Sequence, residues 1–175
     1  MESTDFAHLV WTSSPELSPD GEWIVYVLHR VDADANAYRT QLWIVRTDGT
    51  SQPRALTSSD VDANNPKWHP DQTSIAYTAT SRESPPTHAI VLLPFDVPGE
   101  PVEVVSGKES FSSLAFSPSG EHLAWVSRDR SDDYDAKREA DRAPRRIDRR
   151  GFMHNGLGFI IDRPSHVYVL SLIHI

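Results

Sequence analysis

The 175-residue sequence has no cysteine. That removes disulfides, thiolate catalysis and cysteine-based zinc sites together, and it fits a chain kept in the cytoplasm. Long apolar runs are also missing: nothing approaches the ~18 residues a membrane helix needs. The start, Met1-Glu2-Ser3-Thr4-Asp5-Phe6, lacks the basic and apolar segments of a secretory signal. The expectation is a soluble cytoplasmic protein with no membrane partner. A cationic excess is missing too, since 17 Lys and Arg face 25 Asp and Glu for a net charge of -8. This argues against nucleic acid as a partner.

What is present is a repeat. Leu17-Ser18-Pro19-Asp20-Gly21-Glu22-Trp23-Ile24-Val25-Tyr26 returns as Trp68-His69-Pro70-Asp71-Gln72-Thr73-Ser74-Ile75-Ala76-Tyr77 and again as Phe116-Ser117-Pro118-Ser119-Gly120-Glu121-His122-Leu123-Ala124-Trp125. Each copy sets a large apolar residue two before the proline and an apolar, small-or-branched, aromatic triplet five after it. The prolines are 51 and 48 residues apart. Proline pre-sets φ for a tight turn, Asp or Ser bonds its own backbone, and Gly accepts φ > 0. The β-branched and aromatic residues beyond suit a pleated surface. Gln72 stands where the other copies have glycine, so its turn should be slightly strained or of another type.

A period of this length with strand chemistry predicts propeller blades. The expected fold is all-β, a partial β-propeller of about three four-stranded antiparallel blades. The blades are expected at about 9–57, 64–106 and 111–170. Closed propellers need roughly 4–8 blades, so an arc of three should leave the outer faces of its first and last blades uncovered and prone to self-association. Within blade one, Glu22 to Arg30 reads as a strand, 31–39 as a polar loop and Gln41 to Val45 as the third strand. Thr47-Asp48-Gly49-Thr50 is a hairpin signal. A charged insertion occupies 128–150, with nine basic and seven acidic residues; near-balance marks a solvated segment rather than a nucleic-acid patch. Strand character resumes at 156–162 and at His166 to Leu170, the latter in the third-strand position. Residues 171–175 read as an artefactual tail.

No Gly-x-Ser-x-Gly elbow and no His-Glu-x-x-His occur in the sequence. Ser51 is the nearest approach to a nucleophile and reads as a turn residue. Asp20 and Asp71 could be ligands, but carboxylates at these places more often stabilise turns, as Asp48-Gly49 does. His69 and His122 sit at turns and His166 opens a strand, with no metal spacing among them. Trp23, Trp43, Trp68 and Trp125 fall on strands, as core or inter-blade packing. No catalytic, metal or cofactor residue is assigned.

The three turns, together with Leu42-Trp43-Ile44-Val45, Gly49 and Arg54-Ala55-Leu56-Thr57, resemble the propeller repeats of the prolyl oligopeptidase family and of the Tol-Pal translocation propeller. Arg145-Arg146-Ile147-Asp148, Gly156-Leu157-Gly158-Phe159 and His166-Val167-Tyr168-Val169 after a charged insertion are similar to the third-blade region of acylaminoacyl-peptidase and dipeptidyl-peptidase-like members. The resemblance covers roughly residues 6–170. It implies the propeller part of a serine peptidase that cleaves short or N-terminally blocked peptides. In that reading the Ser, Asp and His of the triad lie in a C-terminal α/β-hydrolase domain, the implied partner, and this chain is a non-catalytic gate and docking surface. Residues 128–165 could then line the passage between the two. The alternative is a non-catalytic interaction propeller of the Tol-Pal type.

Overall fold

A computed structural model describes residues 6, 8–95, 97, 99–129, 141, 144, 146–148, 150–154, 158–160 and 163–173. Among these there is no α-helix. The first sheet pairs β1 (Val10–Leu17), β2 (Trp23–Asp32), β3 (Ala37–Arg46) and β4 (Arg54–Ala55) in chain order. The second repeats the plan with β5 (Asp62–Trp68), β6 (Ser74–Thr80), β7 (His88–Pro94) and β8 (Val102–Gly107). In the third, β10 (His122–Arg128) lies between β9 (Ser112–Phe116) and β13 (Ser165–Ser171), and a small hairpin of β11 (Met153–His154) and β12 (Gly158–Phe159) stands apart. All pairings within these sheets are antiparallel.

The three repeats open each sheet's first hairpin by one hydrogen-bond scheme. The N–H of Gly21, Gln72 and Gly120 donates to the carbonyl of Ser18, His69 and Ser117 at 2.9 Å in each case. The φ values at these three positions are +76°, +66° and +76°. Gln72 therefore adopts the turn of its glycine counterparts and bears the left-handed strain.

The triplet after each turn explains the packing. Successive strand residues face opposite sides of a sheet. Ile75 and Tyr77 face blade one and share a core with Val25, Val27, Leu42 and Ile44. Between them Ala76 faces blade three and packs with Leu123 and Trp125. The first and third members thus turn to the preceding blade and the middle member to the next. In β6 the five residues Ile75 to Ala79 are all buried, because this strand is covered from both sides.

The residue two before each proline follows the same geometry. Trp68 is 8% exposed against blade one, whereas Leu17, its counterpart with no described blade on that side, is 59% exposed. On the far face of blade three Val167 and Val169 are exposed, and they pair with Val126 and Ala124 across the sheet. Both outer faces of the arc present apolar side chains that no described residue covers.

One feature departs from the sequence reading. The polar loop expected over 31–39 shrinks to 33–36, because β2 and β3 continue their register to Asp32↔Ala37. Asp32 fixes that corner by accepting from the Ala35 N–H at 3.0 Å and from Arg39 Nε at 2.9 Å. In blade three the described residues supply three strands, the last of them β13 in the third-strand position expected of His166 to Leu170. Most of the charged insertion at 128–150, and part of the segment at 156–162, lie outside the described residues. Of the segment read as an artefactual tail, Ser171 closes β13 and the Leu172 N–H donates to the Glu121 carbonyl at 2.8 Å.

A repeated bulge went unread. Ser14, Asn65 and Ser113 have φ of +50°, +51° and +54°, and each sits where the register of its blade's first strand shifts. Such a bulge adds one residue and sharpens the twist. Side chains with a β-branch strongly resist this conformation, and an L-residue held there costs about 1–2 kcal/mol. Asn65→Gly should therefore leave thermal stability unchanged or raised, while Asn65→Val should lower it by about 1–2 kcal/mol in denaturant titration.

Candidate functional site

The turn carboxylates act on their own backbone. Asp20 accepts from the Ser18 hydroxyl at 2.5 Å and from the Glu22 N–H at 2.9 Å. Asp48 takes the Thr50 hydroxyl at 2.7 Å and the Thr50 N–H at 2.9 Å. Asp71 takes the Thr73 N–H at 3.0 Å and the Thr73 hydroxyl at 2.8 Å. Asp20 has a further partner in the next blade, the Gln72 amide, whose Nε2 donates at 2.8 Å.

These bonds stabilise the charged form. The Ser18 hydroxyl, then the Glu22 N–H, hold the Asp20 carboxyl below its ordinary range. The Thr50 hydroxyl does the same for Asp48, the Thr73 N–H for Asp71 and the Ala35 N–H for Asp32. His29, stacked on Trp11 at 4.9 Å, is lowered by burial. A lowered carboxylate contributes stability that is complete above the unfolded value near 4 and disappears as pH falls through the folded value. For His29 the neutral form is favoured, so stability slips as pH falls below about 6.5. Melting temperature should decline gently below about pH 6.5 and more steeply below about pH 4; a maximum at acid pH in differential scanning calorimetry would contradict this.

The histidines and Ser51 do not assemble. His69 turns its Nε2 to the Gly120 carbonyl at 3.1 Å, its Nδ1 to Asp71, and its ring to the edge of Phe116 at 4.9 Å. It is an inter-blade contact. His122 begins β10 and His166 lies in β13, both exposed. The Ser51 hydroxyl accepts from the Arg46 N–H at 3.3 Å in the β3–β4 turn. Among the described residues no group of three or more His, Asp or Glu side chains could hold a metal.

The tryptophans pack as expected of core and inter-blade residues, in differing degree. Trp68 and Trp125 are buried. Trp23 lies edge to face with Phe95 at 5.8 Å under the Arg46 guanidinium. The Trp43 indole donates to Gln41 Oε1 at 3.1 Å. Blades one and two are also clasped by polar pairs at both ends of their strands. At the turn end Lys67 meets Glu16, and the Trp68 indole donates to the Glu16 carbonyl at 3.2 Å. At the other end Asp62 accepts from the Thr40 N–H at 3.1 Å and pairs with Arg39 at 3.5 Å.

Several recesses have the volume of a ligand site, and one of them is lined by three aromatic rings. It opens between blades two and three, with a volume of about 390 Å³, inside the range of small-molecule pockets. Trp125 and Tyr168 stack on its floor at 5.8 Å, and Phe111 meets Trp125 edge-on at 6.3 Å. Lys108, Glu109 and Arg128 border it. Sequence reasoning placed Trp125 in the core and missed the recess, because no local motif joins residues 107–111, 125–128 and 168.

Sheets of one plan set side by side around an axis, each burying one face on its neighbour, define a β-propeller arc. No family model matches the chain. Over 74 residues it is 30% identical to the uncharacterized peptidase YuxL of Bacillus subtilis, a stretch that is 42% of this chain and 11% of that one. Among solved structures, the acylaminoacyl peptidase of Pyrococcus horikoshii superposes on 95% of this chain with a TM-score of 0.74 at 18% identity. The β-propeller domain of the Trilobed protease from Pyrococcus furiosus superposes on 69% with a TM-score of 0.56 at 21% identity. The chain spans 24% of the former and 35% of the latter. The fold is that of the propeller of these peptidases. Among the described residues no helix is long and apolar enough to cross a membrane.

Proposed function

We propose that this chain is propeller from a serine peptidase of the prolyl oligopeptidase family, close in kind to the acylaminoacyl peptidases. It gates access to an α/β-hydrolase domain that carries the nucleophile, and it docks that domain. The observation that carries the reading is the superposition of 95% of the chain on an acylaminoacyl peptidase at a TM-score of 0.74. The local likeness to a Bacillus peptidase points the same way. In this role the propeller contributes walls and contacts, and bond cleavage belongs to the partner domain. Peptides short enough to pass the blades are the substrate class.

The test has two readings on one gene. The coding sequence beyond this segment should supply a Gly-x-Ser-x-Gly elbow followed by Asp and then His. A fluorophosphonate probe, which labels activated serines, should mark the full-length product and leave the 175-residue chain unmarked. Labelling of the short chain, or a downstream sequence without the elbow, would overturn the proposal and favour an interaction propeller.

A further inference from the structure

The recess between blades two and three differs in its lining from those between blades one and two. There Trp68, Ile75 and Tyr77 close the shared core, and the recesses left at its margins are lined by charged side chains or by a single aromatic ring. Here about 390 Å³ is left open over the rings of Phe111, Trp125 and Tyr168, room for roughly a dozen waters. Three aromatic walls recognise a flat apolar group, since ring pairs gain from edge and offset contacts beyond burial alone.

The charges at the rim are selective as well. Among the described residues Glu109 is the only carboxylate that borders the recess, and it faces the Arg163 guanidinium at 3.7 Å. Arg128 and Lys108 are the cations that border it. Among the described residues no hydrogen bond or ion pair engages the Arg128 side chain. Guanidinium groups pair with carboxylates through two parallel N–H donors, in bonds roughly twice as strong as neutral ones. In a protein of net charge -8, a guanidinium at the border of an aromatic recess, without a side-chain partner among the described residues, favours an anion.

We infer that the recess between blades two and three binds an aromatic residue bearing a free carboxylate, as at the C-terminus of a short peptide, with the ring over Trp125 and the carboxylate at Arg128. This binding belongs to the propeller itself and holds whether or not a hydrolase domain is attached, so it stands or falls apart from the peptidase reading. It is recognition without chemistry, and no bond is made or broken.

The probe is N-acetyl-phenylalanine, titrated calorimetrically into the 175-residue chain, beside N-acetyl-phenylalaninamide, which keeps the ring and lacks the charge. The acid should bind at least about tenfold more tightly than the amide, as expected for one charge-assisted pair. Arg128→Gln should remove that difference and leave the amide unchanged. In a two-dimensional nitrogen–proton spectrum of the unsubstituted chain, the acid should shift the indole N–H of Trp125 more than those of Trp11, Trp23, Trp43 and Trp68. Equal affinities for acid and amide would overturn the inference. So would the absence of saturable binding up to about 10 mM, undiminished acid binding by Arg128→Gln, or indole shifts that spare Trp125.

Discussion

Leu42→Ala should be among the most damaging single substitutions in this chain, costing about 2–5 kcal/mol. Leu42 is fully buried in the core that blades one and two share, among Val25, Ile44, Ile75, Tyr77 and Val91. Removing its isobutyl group forfeits transfer energy and leaves a void that two hydrogen-bonded sheets cannot collapse to fill. In a domain of this size each kcal/mol is worth about 2–4 °C, so the melting temperature should drop by roughly 5–15 °C. Val167→Ala supplies the contrast. Val167 also lies in a strand but is 72% exposed on the open face of blade three, and its truncation should fall within about 0.5 kcal/mol of neutral. If the two substitutions cost the same in urea titration, the sheets do not pack as described.

Gly120→Ala should cost about 2–4 kcal/mol, from two separable sources. The first is conformational: φ is +76°, where an L side chain costs about 1–2 kcal/mol. The second is steric. A Cβ at Gly120 would overlap Cε1 and Nε2 of the His69 ring. That ring has little freedom to yield, since Asp71, Phe116 and the Gly120 carbonyl hold it on three sides, and such overpacking typically adds about 1–3 kcal/mol. Gly21 isolates the first source. It has the same φ, and a methyl group placed there would meet no atom within 4 Å, so Gly21→Ala should show the conformational cost alone. Combining His69→Ala with Gly120→Ala should recover the steric share, giving a coupling energy of about 1 kcal/mol or more in a double-mutant cycle. Additive effects would mean that blades two and three do not meet at their turns.

The repeat was legible because every copy must solve one local problem, reversing the chain between two strands, with the same few residue types. Proline, a small polar residue and glycine at fixed spacing announced the turns, and the triplet beyond announced strands. Its inner logic, outer members to the preceding blade and the middle one to the next, emerged only from the packing of Ile75, Ala76 and Tyr77. Gln72 shows where composition falls short. The side chain that makes the left-handed position costly also reaches Asp20 in the neighbouring blade, a gain invisible in a single repeat.

The bulges left a trace that could have been read. Ser13-Ser14, Asn64-Asn65 and Ser112-Ser113 are polar doublets repeating at the spacing of the turns, but a doublet of Ser or Asn also reads as an ordinary exposed strand end. The long β2–β3 hairpin was misjudged because Asp32, Asp34, Asn36 and Arg39 look like loop; in the fold Asp32 and Arg39 pair with each other instead. The aromatic recess is a property of two blades meeting, and its residues come from three separate stretches of the chain, so no window of sequence contains it. The peptidase likeness lay in the succession of repeat, insertion and later strands, and no Gly-x-Ser-x-Gly elbow occurs in the sequence.

Amide hydrogen exchange, followed strand by strand, tests the radial arrangement most directly. β6 lies between two neighbours, and β1 and β13 lie beside faces that no described residue covers. Exchange should therefore be slowest at Ile75 to Ala79 and distinctly faster in β1 and β13, since protection follows burial and local contact. Protection in β6 no greater than in those two strands would contradict the claim that the sheets stand side by side with blade two enclosed.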